Sequence, residues 1–235
     1  MAEATFDEQV AGMTQESTQR LAAFEGLLRG VGADVLSEFN KFSKTLAALP
    51  AIGRDAAARR VALRKDDSLP LDHRQRLDRE LLSGVDVILR KTPAAAHQSI
   101  PKLRSMLEDG LLPNAARTDS GMRSLHRQEL ETAMNARPGT RLEQARRIVG
   151  QNPSWDAELL SDYGRALVGE DFKALRAEAV GRWKARLDGT EKQVNSRKAL
   201  AGLEAANLEG AVAAHVQAAR AHMTRDDPLP ARRQP

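Results

Sequence analysis

The chain has 235 residues, of which 41% are hydrophobic and only 3% aromatic, and it carries 36 basic and 32 acidic side chains for a net charge of +4. The absence of cysteine excludes disulfides, thiolate metal sites and a cysteine nucleophile. A core with so few aromatic residues must consist mainly of Leu, Ala and Val, which favours close-packed helices over strands.

The sequence shows neither a secretory signal nor a membrane-spanning segment. The first ten residues are acidic and lack the basic segment and apolar run of a secretory signal. No apolar run approaches the roughly 20 residues that a membrane-spanning helix needs. We therefore expect a soluble protein, located in the cytoplasm or incorporated in a virion.

Apolar residues recur at steps of three or four in the first fifty residues, from Leu21 and Phe24 through Phe39 to Leu46. This spacing predicts one helix from about Thr14 to Ala48. Three glycines, Gly26, Gly30 and Gly32, weaken it. We interpret them as a kink in a core helix, and the alternative is a face on which a partner helix packs closely.

Proline, glycine and capping residues divide the middle of the chain into several predicted helices. These are a short basic helix within 51–66, a helix ending near Lys91, one from Ser99 to Gly110, one within 118–136, one opened by the capping box of Thr140 and Glu143, and one from Asn152 to Leu167. No segment shows the apolar–polar alternation of a strand. The sequence predicts an all-α bundle of six to eight helices, with residues 1–169 as the bundle domain.

Residues 170–223 contain no proline and form either one long helix or a helical hairpin. Gly189 and the Thr190-x-x-Gln193 pattern favour a break, because glycine ends helices and this pattern caps the next one. Apolar residues at intervals of eleven, such as Phe172, Trp183 and Val194, favour a continuous helix, because that period stays on one side of an α-helix. We favour the continuous helix, followed by an extended Pro- and Arg-rich tail over 224–235.

A continuous helix of this length would be about 80 Å long, more than the bundle could cover. We therefore predict that its apolar side contacts a protein partner or a second copy of the chain. The predicted interface residues are Phe172, Trp183, Val194, Val212 and Val216. If the segment is a hairpin, the same residues would instead pack within the chain.

The sequence contains no recognisable catalytic, metal-binding or cofactor-binding motif. Its five histidines are not spaced as metal ligands, and the patterns of phosphate-binding loops, nucleophile elbows and dinucleotide sites are missing. We expect a protein without enzymatic activity, cofactor or metal, and we rank a helical enzyme third among the alternatives.

The alternative function is binding to nucleic acid through a basic segment. Arg54, Arg59, Arg60, Arg64 and Lys65 are candidate phosphate-contacting residues if they line one side of a short helix, with the C-terminal arginines adding to them. Such a run is more often a solvated surface, and it lacks interleaved aromatic residues. The favoured function is a non-enzymatic structural or assembly protein that makes helix-mediated contacts in a large complex, such as a virion.

Overall fold

The computed structural model describes residues 5–114, 119–136, 138–186 and 188–224. Of these residues 86% are helical and none lies in a strand, which confirms the all-α prediction. Eight helices of the described residues are longer than two turns, in agreement with the predicted six to eight. With two seven-residue helices added, the series is α1 (Phe6–Leu28), α2 (Ala33–Lys65), α3 (Leu71–Leu111), α4 (Ser120–Asn135), α5 (Arg141–Ile148), α6 (Pro153–Leu159), α7 (Asp162–Val168), α8 (Phe172–Ala185), α9 (Glu191–Ala206) and α10 (Leu208–Thr224).

The chain forms two compact units, each assembled from separate segments. The described residues of the first unit are 5–29, 33–104 and 202–224, and those of the second are 30–32 and 105–201. Residue 169, the predicted end of the bundle domain, lies inside the second unit. Of the predicted tail over 224–235, all but Thr224 lies outside the described residues.

The first unit is built around α10, which packs against both α1 and α2. Gly53 of α2 marks a close approach to α10, since a Cβ atom there would lie 2.4 Å from the backbone oxygen of Ala219. Elsewhere in this unit Phe24 of α1 and Phe39 of α2 meet edge to face, with ring centroids 5.3 Å apart. The alanine-rich side of α10 is therefore covered by the chain's own helices. Its buried residues are Leu208, Ala211, Val212, His215, Ala218, Ala219, His222 and Met223.

The second unit packs α4 to α8 around a core of aliphatic residues, a methionine and a tryptophan. Its short helices begin where the sequence provides a cap. Thr140 and Glu143 form the predicted capping box of α5, and the side chain of Asn152 accepts a hydrogen bond from the backbone N–H of Ser154 to start α6. Its buried apolar residues include Leu130, Met134, Ile148, Leu159, Leu175 and Trp183.

Three prolines lie inside helices, where the sequence predicts helix boundaries. α2 continues through Pro50, and α3 continues through Pro93 and Pro101, so the short helices predicted within 51–66, up to Lys91 and from Ser99 are wrong. A proline removes one intrahelical hydrogen bond, and the burial of apolar residues on both sides of it outweighs that loss. The expected caps, Thr92 and Ser99, instead donate to the backbone oxygens of the residues four positions earlier.

The first predicted helix is two helices, since α1 ends at Leu28 and α2 begins at Ala33. Gly26, Gly30 and Gly32 give the segment between the two helices a low helix propensity. The backbone oxygen of Gly30 accepts a hydrogen bond from Nδ2 of Asn195 at 2.9 Å. A side chain at Gly30 would collide with that amide, because its Cβ atom would lie 2.6 Å from Nδ2.

The continuous helix predicted over 170–223 is also wrong. α8 ends at Ala185, Gly189 adopts a φ of +140°, and Thr190 and Gln193 exchange the hydrogen bonds of a capping box at the start of α9. The chain then runs from Glu191 to Thr224 as a long helix bent at Asn207, whose φ is +45°. The local capping signal therefore overrides the eleven-residue register, which two separate helices also satisfy.

Candidate functional site

The predicted partner interface is not a single exposed surface. Trp183 and Val212 are each only 2% exposed and belong to the cores of their own units, which corrects their assignment to an outer surface. Phe172, Val194 and Val216 are half-buried. These five side chains lie on three helices, α8, α9 and α10, because the chain breaks at Gly189 and bends at Asn207.

Trp183 is held in the second unit by a buried carboxylate. Its Nε1–H donates to Oδ2 of Asp156 at 2.8 Å, and the backbone N–H of Gly150 lies 2.9 Å from both oxygens of that carboxylate. Burial raises the pKa of Asp156, and the hydrogen bonds from Gly150 and Trp183 offset part of this effect. The guanidinium of Arg186 covers the indole ring at 4.5 Å. This arrangement fixes α8 against the turn between α5 and α6.

The five candidate phosphate-contacting residues do not line one side of α2. Arg54, Arg60 and Arg64 line a cleft of about 280 Å³, whereas Arg59 lines a different groove beside Leu77. Lys65, at the end of α2, is exposed. The charge of Arg60 is already compensated, since its Nε donates to Asp78 at 2.8 Å and its Nη1 to the backbone oxygen of Met223 at 2.5 Å. The predicted basic side is thus divided between two grooves of the first unit.

An exposed apolar face lies on α3, within the first unit. Val87 and Ile88 are 45% and 42% exposed, although their near neighbours in the helix, Val85 and Leu89, are buried. A Cβ atom at Gly84 would meet nothing within 4 Å, so this position faces open space. We call this face the α3 stripe. It consists of the exposed residues Glu80, Gly84, Val87, Ile88, Lys91, Ala95 and Gln98, which share one side of the helix.

A second cleft, of about 640 Å³, lies in the second unit, and we call it the arginine cleft because Arg123, Arg127, Arg165 and Arg176 line it. Glu158, only 1% exposed, accepts a hydrogen bond on each of its oxygens, from Nε of Arg123 at 2.9 Å and from Nε of Arg127 at 2.7 Å. Burial alone would raise the pKa of Glu158, but these two hydrogen bonds outweigh burial and leave it below its ordinary value.

Tyr163 completes the wall of the arginine cleft. The guanidinium of Arg127 lies over its ring at 4.8 Å, and its hydroxyl donates to Oε1 of Glu131 at 2.5 Å. Burial, together with this hydrogen bond to a carboxylate, raises the pKa of Tyr163 to about 12. The phenol therefore remains a neutral donor throughout the physiological range and holds Arg127 in place.

Sequence reasoning missed both surfaces. The α3 stripe was hidden because apolar residues occur on both sides of α3, and spacing alone does not tell which side the fold covers. The arginine cleft is assembled from the end of α3, from α4 and from the segment that runs from α6 to α8, three parts of the chain that are distant from one another in the sequence. The only local sign of it is the Arg123-x-x-x-Arg127 spacing, which places two guanidinium groups on one side of a helix.

Comparison of the chain with protein-family models, with curated proteins and with solved structures finds no match in any of the three. Among the described residues, no three His, Asp or Glu side chains are grouped so that they could hold a metal ion. No helix of the described segments has the length and hydropathy needed to cross a membrane.

Proposed function

We propose that this protein is a non-enzymatic assembly protein that associates with a second copy of itself through the α3 stripe. The observation that carries the proposal is the exposure of Val87 and Ile88 next to Gly84 in the middle of a 41-residue helix. A glycine at an exposed helix position costs up to about 1 kcal/mol relative to alanine. A helix that packs closely against this face would offset that cost.

Charge complementarity favours a second copy, packed antiparallel, as the occupant of the stripe. If the two-fold axis passes between Val87 and Ile88, Lys91 of one copy lies opposite Gly84 of the other and one turn, about 6 Å, from its Glu80. Lys91 is exposed and forms no ion pair with any described residue. Glu80 has only a long contact of 3.8 Å with Arg76, so it is available to the lysine of a second copy.

The buried acidic groups of the second unit support a function without catalysis. Asp156 and Glu158 each use both carboxylate oxygens in hydrogen bonds that join helices and turns. The proposed setting is a large particle such as a virion, in which the contact between two α3 helices would be one of several contacts made by each copy. The nucleic-acid alternative is less well supported, because the arginines of α2 are divided between two grooves.

Sedimentation equilibrium of the full chain over a range of concentrations tests this proposal. We expect a reversible monomer–dimer equilibrium in the wild type, and Ile88→Glu should weaken it by at least about tenfold, equivalent to 1.4 kcal/mol. Leu125→Glu is the matched control, because Leu125 is 45% exposed, close to the 42% of Ile88, but lies on α4. A wild type that stays monomeric at all concentrations, or equal weakening by both variants, would overturn the proposal.

A further inference from the structure

The arginine cleft of the second unit presents guanidinium groups that the fold leaves partly unused. Arg123 and Arg127 each give only their Nε–H to Glu158, and their terminal Nη atoms donate to no described residue. Each of these side chains therefore keeps four N–H donors in a half-buried position. These donors are open to water in the free protein and are available to an anion that replaces that water.

A single buried carboxylate holds these two arginines in place. Because Glu158 receives a hydrogen bond on each oxygen, it fixes the position of both guanidinium groups, yet it cancels only one of their two positive charges. The ring of Tyr163 supports Arg127 from one face. A preorganised arginine side chain loses less conformational entropy on binding, so it binds an anion more tightly than a mobile arginine side chain does.

The other two arginines of the cleft differ in how far their charges are compensated. Arg176 donates to both Glu108 and Asp109, so its charge is balanced within the fold. The one ion pair of Arg165 with a described residue is a 3.9 Å contact with Asp162, whose side chain is 99% exposed, and such pairs contribute little in water. Its guanidinium also lies over the ring of Phe172 at 5.1 Å, a contact that leaves its charge uncompensated. Arg165 therefore adds a third guanidinium group that is available to a ligand.

We infer that the arginine cleft binds a phosphate group through Arg123, Arg127 and Arg165. A planar carboxylate is satisfied by one arginine in a two-fold contact, whereas a tetrahedral phosphate presents oxygens in several directions and suits guanidinium groups from two helices. Leu112, Pro113, Ala157 and Leu160 also line the cleft and reduce the water around the bound anion. This inference concerns the second unit and does not depend on the proposed pairing through α3.

Arginine-selective NMR of the full chain, titrated with inorganic phosphate at constant ionic strength, tests the inference. We expect saturable shifts of the Nε–H signals of Arg123 and Arg127, and no shift for Arg90, which pairs with Asp86 in the first unit. Arg165→Gln should weaken binding by about tenfold, the effect of losing one charge-assisted hydrogen bond. Arg90→Gln, the matched control, should leave the affinity unchanged.

Arg165 is the position to change because it is exposed, whereas a substitution at Arg127 would leave Glu158 buried with one fewer partner and could unfold the unit. Three results would overturn the inference. The shifts could match those produced by chloride at the same ionic strength, Arg165→Gln could leave them unchanged, or succinate could saturate the same signals at equal or lower concentrations than phosphate.

Discussion

Two acidic residues of α6, Asp156 and Glu158, are both buried, and their pKa values shift in opposite directions. The difference lies in the donors. Asp156 receives hydrogen bonds from the neutral groups of Gly150 and Trp183, which do not fully compensate for burial, whereas Glu158 receives them from two guanidinium groups. The stability that Glu158 contributes is therefore present above the ordinary carboxyl pKa and is lost as the pH falls through its lower folded value. The folded pKa of Asp156 is raised, so ionisation of this residue destabilises the protein as the pH rises above the ordinary carboxyl pKa.

Trp183 provides a direct test of whether the predicted interface residue belongs to the core. Because its ring is buried and its Nε1–H is bonded to Asp156, we expect Trp183→Ala to lower the free energy of unfolding by about 3–5 kcal/mol. Trp183→Phe should lower it by about 1–3 kcal/mol, since the ring volume is largely kept but the buried carboxylate loses a donor. Urea unfolding followed by circular dichroism measures both. A folded, equally stable Trp183→Ala protein with weaker self-association would instead restore Trp183 to a subunit interface.

Tyr163 is the only tyrosine of the chain, so its ionisation can be followed without assignment. We expect the ultraviolet absorbance of the phenolate to appear with a midpoint near pH 12 in the folded protein and near 10.0, its ordinary value, in urea. Because the folded pKa is the higher one, the stabilisation is complete below the unfolded value and is lost as the pH rises from there through the folded value. Glu131→Gln should lower the folded midpoint. A folded midpoint near 10.0 would show that Tyr163 does not donate to Glu131.

At the scale of elements, the sequence predicted several capped helix starts correctly and the helix boundaries at prolines wrongly. The caps at Thr140, Asn152 and Thr190 act through side-chain hydrogen bonds to nearby backbone N–H groups, and local spacing reveals them. The prolines of α2 and α3 were misleading, because continuing through them depends on apolar contacts made far away in the sequence. The eleven-residue register misled for a related reason, since it records which side is apolar and not whether the helix is continuous.

Gly189 tests the break between α8 and α9. With a φ of +140°, and a Cβ position 2.9 Å from Oε1 of Gln193, Gly189→Ala should destabilise the protein by about 1 kcal/mol or more. Gly181 is the matched control, because it lies within α8 with nothing inside 4 Å of its Cβ position. Gly181→Ala should stabilise the protein by up to about 1 kcal/mol. If both changes stabilise, Gly189 lies inside a helix and the continuous rod is correct after all.

At the scale of the whole molecule, the sequence was sufficient to predict the fold class but not to predict which surfaces the fold leaves exposed. Low aromatic content and helical spacing predicted an all-α protein, which the described residues confirm. The predicted interface failed at Trp183 and Val212, because an apolar residue in a helix gives no sign of whether the chain itself covers it. The α3 stripe and the arginine cleft become visible only when burial is known, since each depends on what other segments leave exposed.

The most direct test of the proposed pairing is a charge exchange between Glu80 and Lys91, measured as the dimer dissociation constant by sedimentation equilibrium. In an antiparallel pair, Glu80→Lys or Lys91→Glu alone places like charges opposite each other and should weaken the dimer, by up to about 1 kcal/mol for each exposed contact. The double variant Glu80→Lys/Lys91→Glu restores opposite charges and should recover the wild-type constant. Recovery in the double variant is the result that this account predicts. Additive weakening in the double variant, or no dimer in any of the four proteins, would contradict it.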